Sequence, residues 1–123
     1  VIERLALDLH LRTRIIPAAI VRERDGLAMS SRNAYLTDKQ RQIASNLPRL
    51  LFQTRDLLRK GEDMQTALAW AQQELLEYRF DSVDYFCVCS GDDLAVAQTI
   101  DPAARLLVAA RLGSVRLLDN CAV

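Results

Sequence analysis

Apolar positions along this chain keep to different spacings in turn. Ile2, Leu5 and Leu9 recur at helical intervals within Val1–Leu11, which reads as the end of a helix. The run Arg14-Ile15-Ile16-Pro17-Ala18-Ala19-Ile20-Val21 follows. It reads as a strand ending near Pro17, or as one with an irregular edge running on to Val21. A helix feeding a short apolar strand has the form of the last crossover of a parallel sheet, and one such unit cannot make a sheet alone. Residues 1–22 are therefore expected to belong to an α/β domain whose remainder is absent.

Helical spacing returns after residue 36. Thr37-Asp38-Lys39-Gln40 is a capping-box pattern, with Thr37 at N-cap and Gln40 at N3. Ile43, Leu47, Leu50, Leu51, Leu57 and Leu58 give an apolar face, and Gly61 is the expected stop. Pro48 should kink or divide this helix, because its ring clashes with the carbonyl four residues back. A second helix is expected from Asp63 to Tyr78, with Met64, Leu68, Ala71, Leu75 and Leu76 inward.

The period then becomes two. In Ser82–Cys89, Val83, Tyr85, Cys87 and Cys89 alternate with Asp84, Phe86 and Val88, and the first set is expected to form an apolar face. Ser90-Gly91-Asp92-Asp93 signals a turn. Arg105–Leu112 and Val115–Asn120 are strands joined by the two-residue connection Gly113-Ser114, with Gly supplying positive φ. Two helices followed by three short strands give an α+β domain over 23–123, helices packed on a three-stranded antiparallel sheet.

Composition narrows the picture. Half of the 123 residues are apolar and sixteen Lys+Arg balance sixteen Asp+Glu, as in a soluble globular protein. Zero net charge argues against a dedicated nucleic-acid binder. Only Lys39 and Lys60 are lysines, so anion recognition would use planar guanidinium forks. No apolar run approaches the ~20 residues of a membrane span. Cys87, Cys89 and Cys121 are odd in number, and two cysteines two apart on one strand face are poorly placed to pair. They read as buried thiols in a reducing compartment. No metal site is expected, since the second Cys/His pair of a zinc site is missing.

Chemistry concentrates in Gly26-Leu27-Ala28-Met29-Ser30-Ser31-Arg32-Asn33. Asp25-Gly26 reverses the chain after a strand end, a common place for a functional loop. Two readings stay open. The segment can be a polar turn, with Asn33 or Ser31 satisfying local backbone groups. Alternatively, backbone N–H groups, Ser hydroxyls and Arg32 converge on one oxyanion, most naturally a phosphate. His10 lies in a helical segment and reads as exposed or locally satisfied.

The order Asp-Gly-Leu-Ala-Met-Ser-Ser-Arg-Asn-x-Tyr-Leu from Asp25 closely resembles the pantothenate synthetase (pantoate–β-alanine ligase) family. Val83-Asp84-Tyr85 and the blocks Arg105–Gly113 and Arg116–Asn120 continue the resemblance over essentially the whole chain. It implies a C-terminal lid-like domain (23–123), preceded by the last helix–strand unit of a Rossmann-like nucleotide-binding domain (1–22). It also implies ATP-dependent adenylation of pantoate with Mg²⁺, held mainly through the ATP phosphates, and then displacement of AMP by β-alanine. By position, Ser30, Ser31 and Arg32 would bind the phosphates and stabilise adenylation, while Val21 and Met29 would border adenine. A homodimeric, cytoplasmic enzyme is implied, with this portion inactive without its N-terminal domain. The alternative is a stand-alone phosphate-binding or structural module. One departure stands out: where the family strand reads Tyr-Leu-Glu-Leu-Arg-Asp, this chain has Tyr85-Phe86-Cys87-Val88-Cys89-Ser90.

Overall fold

The capping box at Thr37 forms as expected: Thr37 Oγ1 accepts from Gln40 N–H, and Gln40 Oε1 accepts from Thr37 N–H. The computed structural model, which describes residues 2–123, starts α2 there. Its elements are α1 (Ile2–Asp8), a 3-10 helix (Ser31–Tyr35), α2 (Asp38–Ala44), α3 (Asn46–Arg59), α4 (Met64–Glu77) and three strands. The strands β1 (Ser82–Cys89), β2 (Arg105–Leu112) and β3 (Val115–Ala122) form one antiparallel sheet in that order.

Pro48 divides the helical stretch, but the break falls three residues upstream, at Ser45 between α2 and α3. The cause is the missing N–H. Pro48 has no donor for the Ala44 carbonyl, so the chain starts a new helix and keeps Pro48 in its first turn, where that donor is not needed. Gly61 ends α3 at φ +90° in a Schellman arrangement. Glu62 N–H bonds Leu57 C=O and Gly61 N–H bonds Leu58 C=O. Asp63 caps α4 through Thr66 N–H.

The core lies between α3, α4 and one face of the sheet. Leu47, Leu50, Leu51, Ala71 and Leu75 meet Phe86, Val88, Leu106, Val108 and Leu117, all buried. Three expected inward positions, Leu76, Tyr85 and Cys87, lie elsewhere. Leu76 is 45% exposed, and Ala67 takes a core place instead. In β1 the core cluster takes Phe86 and Val88, not Tyr85 and Cys87, while Cys89 is buried outside that cluster. The register explains this: Val83 pairs with Ala110 and Tyr85 with Ala109, so Asp84 is an extra bulged residue and inverts the alternation beyond it. Leu112 pairs with Val115 across the Gly113-Ser114 turn, with Gly113 at φ +59°.

Residues 11–21 form no strand; among the described residues the Arg14–Val21 run has no ladder partner along its length. A strand is defined by its neighbour, and none is present. α1 makes no extensive interface with the other elements, and most of its apolar side chains are exposed. His10 is exposed, at φ +50° just after α1. The three cysteines are free thiols. Cys87 Sγ and Cys89 Sγ sit 3.7 Å apart on one strand, in hydrogen-bond contact. Burial raises the Cys87 thiol to about 11, with Cys89 beside it adding to the shift.

Candidate functional site

Residues 21–29 fold back on themselves as a tight ribbon. Glu23 N–H bonds Leu27 C=O at 2.8 Å, Gly26 N–H bonds Glu23 C=O at 2.9 Å, and Met29 N–H bonds Val21 C=O at 2.9 Å. Gly26 permits the reversal at φ +88°, a backbone conformation that side chains disfavour. The ribbon therefore places Val21 beside Met29 at its open end, and both are largely exposed. Leu27 is buried in the core and anchors the turn from below.

Three polar clamps hold the ribbon. Arg22 makes a bidentate ion pair with Asp119 on β3, at 2.6 and 2.8 Å, and also donates to Gly26 C=O. The Asp119 side chain is fully buried. The Arg22 guanidinium lies 4.9 Å from the Phe52 ring centre, and its pKa is raised by the Asp119 bond. Arg41 of α2 reaches back to Glu23 and Asp25 at 2.8 and 2.5 Å. Both carboxyls are held below their ordinary range, chiefly by the Arg41 hydrogen bond. Asn33 donates to Glu23 and to Ala28 C=O, tying the start of the 3-10 helix to the ribbon. Its Oδ1 is buried with no partner.

This frame carries Ser30, Ser31 and Arg32 at the start of the 3-10 helix, all exposed. The two serines differ. Ser30 Oγ accepts from Arg32 N–H at 3.2 Å and caps the helix. Ser31 Oγ makes no hydrogen bond among the described residues, and Arg32 forms no ion pair there. Of the five expected site residues, Met29, Ser30 and Arg32 line one cleft, Val21 pairs with Met29 through the backbone, and Ser31 stands exposed between Ser30 and Arg32. A free hydroxyl and a free guanidinium on a braced backbone fit phosphate oxygens. Among the described residues no three His, Cys, Asp or Glu side chains converge to hold a metal.

Sequence reading did not single out Arg22, Arg41 or Asp119. One signal was available: alternation along β3 puts Asp119 in line with Val115, Leu117 and Cys121 on the core face, where a carboxylate requires a partner.

Fold and loop together define the class, a small α+β domain presenting an exposed Ser-Ser-Arg loop on a braced ribbon. The chain belongs to the pantoate-beta-alanine ligase family, whose profile matches residues 1–122. It is 45% identical over its full length to pantothenate synthetase of Nitrobacter hamburgensis and 48% identical to that of Paramagnetospirillum magneticum. It spans 44% and 43% of those relatives. The crystal structure of pantothenate synthetase from Thermus thermophilus superposes with a TM-score of 0.91 at 31% identity, covering 98% of this chain and 44% of that one. Pantoate-beta-alanine ligase from Francisella tularensis, solved with beta-gamma ATP and beta-alanine, gives a TM-score of 0.66 at 26% identity and covers 98% and 38%. No helix among the described residues is long and apolar enough to cross a membrane.

Proposed function

We propose that this chain is the ATP-facing C-terminal portion of a ligase that adenylates pantoate and condenses it with β-alanine, giving pantothenate, AMP and pyrophosphate. One observation carries the reading: exposed Ser31 and Arg32, whose side chains have no hydrogen-bond or ion-pair partner among the described residues, follow directly on a ribbon that pairs Val21 with Met29. The Francisella relative, solved with an ATP compound and β-alanine, supports the same substrates here.

The pantoate carboxylate is ionised at neutral pH, so the first step needs no general base from this chain. Its oxygen bonds to the α-phosphorus while the bond to the bridging oxygen breaks, and that electron pair leaves on pyrophosphate. Arg32 and Ser31 donate to the phosphate oxygens where charge grows. The amine of β-alanine then displaces AMP from the acyl carbon. The reading assigns residues 1–22 to the nucleotide-binding domain and 23–123 to the lid. Homodimerisation of the whole enzyme and a cytoplasmic location belong to the same proposal.

Pyrophosphate release from pantoate and ATP tests it. The 123-residue chain alone gives none, and adding the N-terminal portion that relatives possess restores it. In that complete enzyme Arg32→Ala lowers adenylate formation at least about tenfold, roughly one charge-assisted hydrogen bond, with little change in melting temperature. A large loss of stability at a near-normal rate would make Arg32 structural.

A further inference from the structure

We infer that Arg116 is a second guanidinium of the phosphate site, facing Arg32 across a cleft and gripping the diphosphate end of a nucleoside triphosphate. The inference rests on the reading of the 29–32 loop as phosphate-binding, and adds a residue from the opposite wall.

A cleft of about 200 Å³ separates the ribbon's open end from β3. Ser30 and Arg32 line one wall and Arg116 the other, with buried Leu27 and Leu117 also lining it. Arg116 has donors to spare. Its Nε bonds Asp84 Oδ2 at 2.5 Å, while the other oxygen of Asp84 accepts from Arg111 Nε at 3.1 Å. Neither Nη group of Arg116 pairs with a carboxylate among the described residues, and beyond Asp84 only a weak hydrogen bond to Tyr85 adds to its hold.

The charge count agrees. One carboxylate serves two guanidiniums at the sheet's rim, and Arg32 brings a third positive charge with no acidic partner among the described residues. Tyr85 lies under Arg116, 5.7 Å from guanidinium carbon to ring centre, and steadies its plane. Two guanidinium forks on opposite walls match the multiple oxygens of a diphosphate better than one can. When the bond between the α-phosphorus and the bridging oxygen breaks, the electron pair and the charge move onto this diphosphate. That is where Arg116 would act.

The test compares Arg116→Ala, Arg111→Ala and Arg32→Ala in enzyme carrying the N-terminal portion. It reads KM for ATP, KM for β-alanine, inhibition by inorganic pyrophosphate, and melting temperature. Arg116→Ala is expected to raise KM for ATP and weaken pyrophosphate inhibition about tenfold each, with KM for β-alanine unchanged and partial rescue by Arg116→Lys. Arg111→Ala, which removes the other partner of Asp84, should match the parent in all three kinetic readouts. If Arg32→Ala weakens pyrophosphate inhibition and Arg116→Ala does not, the inference fails and the loop reading stands. If neither does, both fall. Equal effects from Arg111→Ala and Arg116→Ala would trace the change to the Asp84 brace and overturn the inference. Should Arg116→Ala not fold, Arg116→Gln, which keeps a donor for Asp84, gives the same comparison.

Discussion

The two adjacent serines illustrate how one hydrogen bond separates roles that residue type alone leaves equal. Ser30 spends its acceptor on Arg32 N–H, so its side chain holds the first turn of the 3-10 helix in place. Ser31 has the same hydroxyl and no such engagement. Removing a cap typically costs about 0.5–2 kcal/mol of local order, whereas a neutral donor to a ligand is worth about 0.5–1.5 kcal/mol. Ser30→Ala is therefore expected to speed amide exchange over 31–35, and to affect ATP turnover only through that loosening. Ser31→Ala should raise KM for ATP several-fold and leave exchange in the loop unchanged. Hydrogen exchange and steady-state kinetics on both variants check the assignment. Wild-type kinetics for Ser31→Ala, together with a clear loss for Ser30→Ala, would reverse it.

At the scale of elements, the ribbon and the β2–β3 hairpin are bound by a charge pair that spans 97 positions of sequence. Taking Asp119 away leaves the Arg22 guanidinium mostly buried against Phe52 without a counter-ion. Breaking one side of a buried pair costs about 3–5 kcal/mol, and the lower end fits here because Arg22 retains some exposure. Chemical denaturation of Asp119→Ala should show a loss of about that size. The double variant with Arg22→Ala should lose less than the sum of the two single changes. Additive losses would mean that the pair is not coupled. The Arg41 clamp behaves differently, because its carboxylates are near the surface. Glu23 and Asp25 have folded pKa values below their ordinary ones. They stabilise the fold above the ordinary carboxylate range, and that contribution disappears as pH falls through the lowered values. Arg41→Gln should accordingly melt below the parent at neutral pH, and the gap should narrow as pH drops below about 4. A gap constant across that range would remove the ion pairs from the ribbon's stability.

For the whole molecule, legibility in the sequence followed locality. The capping box, the Gly61 stop, the β2–β3 turn and the 29–32 loop each lie within a few residues, so composition and spacing identify them. The Asp84 bulge does not: it is visible only in the pairing with β2, and it turned the apolar face of β1 over. The clamps on the ribbon were hidden for the same reason, since Arg22, Arg41 and Asp119 come from three separate elements. The Arg14–Val21 run shows the converse, an apolar segment with strand composition and no strand to join. Its exposure sets the last expectation. Leu5, Leu7, Leu9, Leu11 and Ile16 are each more than half exposed, on a segment with no extensive interface to the α+β domain. Apolar surface on that scale drives association in water, so the 123-residue chain should self-associate in sedimentation velocity. Deleting residues 1–19 spares the Val21–Met29 pairing and every element of the α+β domain. The shortened chain should sediment as a monomer and melt at the parent's temperature. If instead the full chain is a clean monomer whose residues 2–16 resist exchange, the segment folds back on 23–123, and the boundary near residue 22 is misplaced.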